Sequence, residues 1–193
     1  LENYRLLLET TSFSQYFVNS IAVAILAMIF TLSIATPAAY AVTRYEFIGR
    51  KYITNMSTII YMFPLVLLGL PLFVIFSQLN LTNSRLGLAL THTAFALPFA
   101  LMLLRVFFKE ISPSVVESAQ LVGAGRITII KDIILPLSLP GIVATVIFVM
   151  ALSWKEYFFA LLLMNDNSLS TLPIGIANLI GMSTTNWGLI LSG

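Results

Sequence analysis

The chain has 193 residues, of which 59% are hydrophobic and only 9% are charged. Soluble domains carry about 25% charged residues, so this composition indicates a membrane protein. Ten Lys and Arg against eight Asp and Glu leave a formal charge of +2, which is too small to indicate nucleic-acid binding. The sequence has no Cys, which excludes thiolate metal sites and disulfides within it, and the single His92 cannot build a histidine metal cluster.

Four apolar segments are long enough to cross a membrane, because a helix needs about 20 apolar residues at ~1.5 Å each to cross a hydrocarbon core of ~30 Å. We predict spans at 17–42, 55–76, 88–108 and 140–163. A further apolar segment begins at Trp187 and would open a fifth span. The predicted fold class is therefore all-α, a polytopic transmembrane helical bundle that forms one domain over residues 1–193.

Basic residues orient the predicted spans, because Lys and Arg accumulate on the cytoplasmic side. Arg5 and Arg85 fall on one side and Lys155 falls inside the fourth span, whereas seven basic residues fall on the other side: Arg44, Arg50, Lys51, Arg105, Lys109, Arg126 and Lys131. The side with seven is predicted to be cytoplasmic, and it includes the loop 109–139. The chain begins outside at Leu1 and ends seven residues into a span, so we expect an internal fragment that lacks a preceding span and the rest of the last one.

The loop 109–139 has the local signals of two short helices. Ser114 and Glu117 have the spacing of a capping box, with Pro113 as an alternative first-turn residue. Gly123 is predicted to end the first helix in the left-handed conformation. An apolar stripe is predicted at the helical spacing of Val115, Ala119 and Val122.

A second helix is predicted from Arg126 to Leu135, ending at Pro136. From these local signals alone, two interpretations of the loop's role remain open. The pair of helices could bind a soluble partner at the membrane surface, or it could lie amphipathically on the lipid.

The loop resembles the EAA loop of binding-protein-dependent ABC importer permeases. The family pattern is E-A-A, three residues, G, nine residues, I, one residue and L-P. Ser118 stands at the second position in place of Ala, and Val122 stands where many members have Asp; the matching positions are Glu117, Ala119, Gly123, Ile133, Leu135 and Pro136. The resemblance implies that 109–139 is a cytoplasmic coupling loop whose first helix docks on an ATPase subunit.

Further landmarks resemble the carbohydrate-type members of this family, in particular the smaller, MalG-like subunit of maltose-type importers. In chain order they are Asn19-Ser20, Ala39-Tyr40-Ala41 with Arg44, Phe47 and Gly49, Met62-Phe63-Pro64, Leu97-Pro98-Phe99, and Trp154 with Tyr157-Phe158-Phe159. Lys155 stands where that family usually has Asn after the Trp. The resemblance implies the type I importer permease fold with six spans, of which the first is absent from this sequence.

The function implied by the resemblance is import of a sugar or oligosaccharide by alternating access. The implied partners are a second, MalF-like permease subunit, two ATPase subunits, an extracytoplasmic solute-binding protein, the sugar and the lipid bilayer of a bacterial or archaeal cytoplasmic membrane. Gly123-Ala124-Gly125-Arg126 lacks the Lys-Ser/Thr of a phosphate-binding loop. We therefore expect no enzyme activity and no cofactor in this chain, with ATP and Mg²⁺ held by the ATPase subunits.

Residues of a translocation path or gate are predicted at Trp154, Lys155, Glu156, Tyr61 and Pro64. Lys155 and Glu156 lie roughly 22 Å along a helix from its start, and charges inside a span usually face a cavity or a protein partner. An ion pair with the sister subunit or snorkelling to the interface remains the alternative for both. Pro64 would bend a helix that lines the path, or would serve ordinary packing.

His92, near the outer end of its span, is expected to be an interface residue rather than a ligand. Two other functions remain open from the sequence. One is an ABC permease for a non-sugar solute such as an amino acid, phosphate or a polyamine, and the other is a stand-alone secondary carrier that needs no ATPase.

Overall fold

The computed structural model describes residues 2–60, 63–180 and 188, and every regular element among them is helical. The α-helices are α1 (Glu2–Thr10), α2 (Phe13–Arg44), α3 (Arg50–Ile59), α4 (Gly69–Gln78), α5 (Arg85–Glu110), α6 (Pro113–Leu121), α7 (Arg126–Thr128), α8 (Leu135–Leu137), α9 (Leu139–Lys155), α10 (Phe158–Leu163) and α11 (Leu172–Ile180). A π-helical segment, Ile129–Ile134, joins α7 to α8, and 3₁₀ turns form Leu65–Leu68 and Asn167–Leu169. The predicted segment from Trp187 lies outside the described residues, apart from Gly188.

Two helices are long and apolar enough to cross a membrane unbroken, α2 with 32 residues and α5 with 26. They confirm the predicted spans 17–42 and 88–108. The stretch Arg126–Leu137 and α9 pass the same test only as a pair, with a bend of 79° between them. The described part of this chain therefore has two continuous membrane-length helices, or three if that bent pair forms one span.

The other two predicted spans are interrupted. In the segment 55–76, α3 ends at Ile59, Phe63 and Pro64 are not helical, and a 3₁₀ turn then precedes α4. In the segment 140–163, α9 ends at Lys155 and α10 begins at Phe158. Composition predicts where a segment is apolar enough to lie in a membrane, but it carries little information on whether the helix is continuous.

Prolines lie both inside helices and at their starts. Pro37 is inside α2 and Pro98 is inside α5. Pro64 precedes the 3₁₀ turn, and Pro71 occupies the first turn of α4, where a missing backbone N–H has no helical partner to lose. Pro64 therefore lies at a helix interruption rather than at a bend within one helix.

The described chain divides into two compact units. One comprises Leu1–Ala27, Pro64–His92 and Met150–Gly193, and the other comprises Met28–Phe63 and Thr93–Val149, in each case as far as the residues are described. That the whole chain forms a single permease domain stays a prediction.

In the first unit, a loop before α11 is fastened to α2 by two side chains. The Asn19 Nδ2 donates to the carbonyl oxygens of Ser168 at 2.9 Å and of Ser170 at 2.8 Å. The backbone N–H of Leu172 donates to Ser20 Oγ at 2.8 Å. Asn19 is fully buried, so these bonds supply the partners that its buried amide group requires.

The second unit has a hydrophobic core in which the C-terminal parts of α2 and α5 pack against α6 and the π segment. Its fully or nearly buried members are Ala35, Ala39, Tyr40, Ala100, Leu104, Phe108, Ile111, Val116, Ile129 and Ile134. Gly141 packs directly against the ring of Phe107, where an added Cβ would overlap the ring carbons. The region that carries the predicted coupling loop is thus packed, not merely attached at two ends.

We predict that Asn19→Ala lowers the free energy of unfolding by about 1–3 kcal/mol, because it leaves two loop carbonyls without their donor. Asn178→Ala is the matched control, since Asn178 is exposed on α11 and surface changes usually stay within about 0.5 kcal/mol. Denaturation of the purified full-length protein in detergent measures both. Equal stability of the two variants would contradict the assigned role of Asn19.

Candidate coupling loop and transmembrane polar sites

The first helix of the loop begins at Pro113, with Ser112 before it in an extended conformation (ψ 135°) and no side-chain cap. The predicted alternative with Pro113 in the first turn is therefore confirmed, and the capping box of Ser114 with Glu117 is wrong. Ser114 is already helical, so its hydroxyl meets Ser112 Oγ at 2.8 Å while its carbonyl accepts from Ser118 Oγ at 2.8 Å. An N-cap at Ser114 would have started the helix at Val115. Proline favours the helical φ at the first position of a helix, and α6 starts at Pro113.

The end of α6 has the predicted left-handed glycine. Gly123 has φ +86°, a conformation that other residues rarely adopt. Its N–H donates to Gln120 O at 2.9 Å, and the N–H of Ala124 donates to Ala119 O at 3.0 Å. These are the two bonds of a Schellman motif, which satisfies the last carbonyls and fixes where the helix ends.

The faces of α6 differ from the predicted stripe. Val116 is buried and Ala119 packs against the same core, whereas Val115 is exposed and Val122 is 85% exposed. The prediction of a stripe through Val115, Ala119 and Val122 is wrong because the buried side of α6 is formed by Val116 and Ala119, and Val122 is the C-cap at the end of the helix. Glu117 and Ser118 lie on the exposed side of the helix.

The second part of the loop begins at Arg126 as predicted but continues to Leu137. Pro136 lies inside α8, so the predicted end at Pro136 is wrong. A proline removes a donor and crowds the carbonyl four residues before it, which belongs to Asp132 in the widened π segment. Ile133 is half-buried against the core of the second unit, and Leu135 is also half-buried.

Arg44 joins the end of α2 to the backbone just before α6. Its Nη2 donates to Ile111 O at 2.7 Å and to Phe108 O at 3.1 Å. The carbonyl of Phe108 is among the last four of α5, which have no intrahelical donor. One guanidinium thus caps α5 and fixes the start of the connection to α6.

A hollow of about 280 Å³ lies between the end of α2 and the inner side of α6. It is lined by Tyr40, Thr43, Arg44, Tyr45, Pro113, Val116, Glu117 and Gln120. Tyr40 and Tyr45 meet edge to face with centroids 5.8 Å apart, and the Arg126 guanidinium lies 5.6 Å from the Tyr45 ring centroid. Glu117 therefore borders both this hollow and the exposed surface.

The predicted path residues lie in different surroundings. Tyr61 lies outside the described residues, and Pro64 starts the 3₁₀ turn before α4. Trp154, Lys155 and Glu156 lie at the end of α9, where the helix is interrupted. No structural observation assigns a path or gate role to any of them, which stays a prediction.

Glu156 serves as a helix cap at that interruption. Its Oε1 accepts from the N–H of Phe159 at 2.8 Å, and its Oε2 accepts from the N–H of Ala160 at 3.0 Å. Both donors belong to the first turn of α10, which has no intrahelical acceptor for them. A carboxylate at a helix N-terminus is also favoured by the helix dipole.

His92 completes a buried polar network around Glu156. The His92 ring lies 2.8 Å from Ser153 Oγ through Nδ1 and 3.4 Å from Glu156 Oε2 through Nε2. His92 is 1% exposed, so the expectation that it faces an interface is wrong. The sequence signal was the presence of two polar residues, His92 and Glu156, near the same end of two apolar segments, where each requires a partner.

A groove of about 390 Å³ opens beside the same interruption, and we call it the Trp154 groove. Its lining residues are Trp154, Lys155, Tyr157, Leu172, Pro173, Ile176 and Ala177. Trp154 is held edge to face against Phe17, with centroids 5.6 Å apart. Among the described residues there is no group of three His, Asp or Glu side chains that could hold a metal ion.

The fold and the loop together define the class of protein, a helical membrane component with a packed loop that follows the membrane-length helix α5. The family described as "Binding-protein-dependent transport system inner membrane component" matches residues 32–193. The chain belongs to this family, whose members are inner-membrane components of transport systems. The predicted membrane location and the resemblance to ABC importer permeases are thereby confirmed.

Two relatives are named as sugar permeases. The chain is 36% identical to the trehalose/maltose transport system permease protein MalG of Thermococcus litoralis, over its whole length and 70% of that protein. It is 34% identical to the trehalose transport system permease protein SugB of Mycobacterium tuberculosis, over 94% of the chain and 66% of that protein. The chain thus spans about two thirds of the length of these relatives.

A solved structure confirms the fold. It is the crystal structure of a bacterial ABC transporter involved in the import of the acidic polysaccharide alginate. The match has a TM-score of 0.85 and covers 98% of this chain and 72% of that one, at 21% identity. The all-α importer permease fold is therefore established for the described residues.

We predict that Arg44→Ala speeds amide hydrogen exchange in α6 about tenfold, equivalent to ~1.4 kcal/mol of local stability. The reason is that the carbonyls of Phe108 and Ile111 lose their donor. Lys51→Ala, an exposed cation in α3, is the control and should leave the exchange unchanged. Exchange followed by mass spectrometry on the full-length protein measures the effect, and unaltered protection of α6 in Arg44→Ala would refute it.

We predict that Glu156→Ala destabilises the protein by about 1–3 kcal/mol, because two N–H groups of α10 lose their acceptor. Glu156→Gln keeps one acceptor oxygen and should lie between wild type and Glu156→Ala. The control is Glu110→Ala, since Glu110 is exposed at the end of α5. Thermal unfolding of the full-length protein in detergent tests this, and a Glu156→Ala variant as stable as Glu110→Ala would disprove the cap.

Proposed function

We propose that this chain is a permease subunit of an ATP-binding-cassette importer, which moves a sugar or oligosaccharide across the cytoplasmic membrane by alternating access. The proposal is supported by membership in the binding-protein-dependent family together with one structural observation. That observation is α6, a short helix whose inner side is packed into the core while Glu117 and Ser118 remain exposed. Such a helix can bind a soluble subunit without losing its attachment to the membrane helices.

The way α6 is held supports a coupling role for the loop. Arg44 fixes the backbone before α6, and the Schellman motif at Gly123 fixes its end. A force applied to the exposed side of α6 is therefore transmitted to the ends of α2 and α5 rather than absorbed by a loop. Glu117 would pair with a basic residue of the ATPase, and the small side chain of Ser118 would permit close approach.

The other motif positions serve the packing of this region. Ala119 packs inward against the core, so its small size lets α6 lie close to the membrane helices. Gly123 supplies the left-handed turn, and Ile133 packs against the same core. Leu135 and Pro136 continue the second helix toward the 79° bend before α9.

The substrate class is proposed from the relatives, two of which are named for trehalose or maltose transport. The proposed partners are a second, MalF-like permease subunit, two ATPase subunits that hold ATP and Mg²⁺, and an extracytoplasmic solute-binding protein. In this arrangement, the present chain provides part of the membrane path and the surface that contacts the ATPase. ATP hydrolysis is assigned to the separate subunits.

The proposed function is tested by ATPase activity of the full-length subunit, reconstituted in lipid with its sister permease, ATPase and binding protein. Stimulation should require both the binding protein and a saccharide. Stimulation by an amino acid, phosphate or a polyamine instead would retain the coupling loop and reject the carbohydrate assignment. Uptake that survives ATP depletion but collapses with the ion gradient would reject the importer altogether.

We predict that Glu117→Lys uncouples ATP hydrolysis from transport while the subunit still inserts and assembles, because charge reversal disrupts docking of an exposed side chain and not core packing. Glu46→Lys is the matched control, a charge reversal on the same predicted side at a side chain that is 96% exposed. Substrate uptake per ATP hydrolysed in proteoliposomes measures coupling. A wild-type ratio in Glu117→Lys would argue against the docking role.

A further inference from the structure

The Trp154 groove combines a cation with aromatic walls. Among the described residues that line it, Lys155 is the only charged one, and it lies at the last position of α9. That position suits a cation, because the C-terminal end of a helix carries a partial negative charge. The remaining lining is apolar or aromatic, as in ligand sites where a few polar groups select the ligand.

Within the described part of the chain, Lys155 makes no ion pair. Its neighbour Glu156 makes no ion pair with it; both carboxylate oxygens of Glu156 instead accept hydrogen bonds from α10, and one also meets His92. The two adjacent charges are thus used differently. The oxygens of Glu156 bind the backbone of α10 and His92, whereas Lys155 is an exposed residue that lines the groove.

A cation without an ion-pair partner in an apolar segment is costly unless it meets water or an anion. The groove also offers Trp154 and Tyr157, whose rings provide apolar faces together with a polar edge. Trp154 is held by Phe17 and does not have to be ordered when a ligand binds. A ligand that fits both features has a flat apolar face and a negative charge.

We propose that the Trp154 groove contacts the transported saccharide and that Lys155 selects saccharides with an acidic group, such as the carboxylate of a uronic acid. The inference rests on the proposed function and narrows its substrate class. The sugar ring packs on Trp154 or Tyr157, and its carboxylate accepts a hydrogen bond from the Lys155 ammonium. Hydrogen bonds to charged groups are stronger than neutral ones, so the groove favours the acidic saccharide over its neutral counterpart.

The first experiment compares uptake of matched pairs, a glucose- or galactose-containing oligosaccharide and the same oligosaccharide with a uronic acid. It uses the full-length complex with its binding protein in proteoliposomes. Lys155→Gln should lower the ratio of acidic to neutral uptake about tenfold, and Lys155→Arg should retain most of it. Because the binding protein is the same in every variant, a change in that ratio arises in the permease. Lys51→Gln controls for the loss of a lysine elsewhere.

A second experiment measures binding of the saccharide in the Trp154 groove without requiring transport. The sequence has no cysteine, so Ala177→Cys, in a full-length protein freed of any other cysteine, places one thiol in the groove. Acidic saccharide should protect this thiol from a maleimide, and the neutral saccharide should protect it less. Adding Lys155→Gln should remove the difference between them.

The outcomes separate the two proposals. Uptake of neutral saccharides alone, unchanged by Lys155→Gln, overturns the acidic selectivity and leaves the importer function standing. Failure of Lys155→Gln to assemble with the second permease subunit also overturns it, because Lys155 then pairs with that subunit. No uptake of any saccharide by the wild-type complex overturns the proposed function and this inference with it.

Discussion

A helix interrupted inside an apolar segment leaves backbone N–H and C=O groups that water cannot satisfy there. In the described chain, polar side chains bind backbone groups that helix ends or irregular segments leave free at three places, of which only the interruption at Glu156 lies inside a predicted span. Glu156 accepts from the first turn of α10, Arg44 donates to carbonyls at the end of α5, and Asn19 donates to the loop before α11. At these three places, a polar side chain binds the irregular backbone and so allows it to persist in a hydrophobic chain.

This constraint changes how polar residues in apolar segments are interpreted. A charge in a span invites a functional assignment, yet the oxygens of Glu156 are taken up by backbone donors and by His92. Lys155, one position earlier, has no such commitment among the described residues and faces the Trp154 groove. Structural and functional charges can therefore be adjacent, and only their hydrogen-bond partners tell them apart.

The sequence predicts features that depend on composition or on a single backbone requirement. The continuous helices α2 and α5 follow from length and hydropathy, and Gly123 follows from the left-handed conformation that ends α6. Features that depend on competition between neighbours were predicted less well: Pro113, given only as the alternative, starts α6 in place of a capping box at Ser114, and the second helix continues through Pro136 to Leu137. The network of His92 with Glu156 joins residues 64 positions apart, which no local pattern can reveal.

The same capping logic makes α6 suitable for transmitting motion. A nine-residue helix would be marginally stable by itself, but its start follows a backbone fixed by Arg44 and its end is closed at Gly123. Val116 and Ala119 bind its inner side to a core shared with the ends of α2 and α5. A displacement of α6 must therefore move these helix ends with it or break buried contacts. In an importer, closure of the ATPase subunits would move the membrane helices by displacing α6 together with these helix ends.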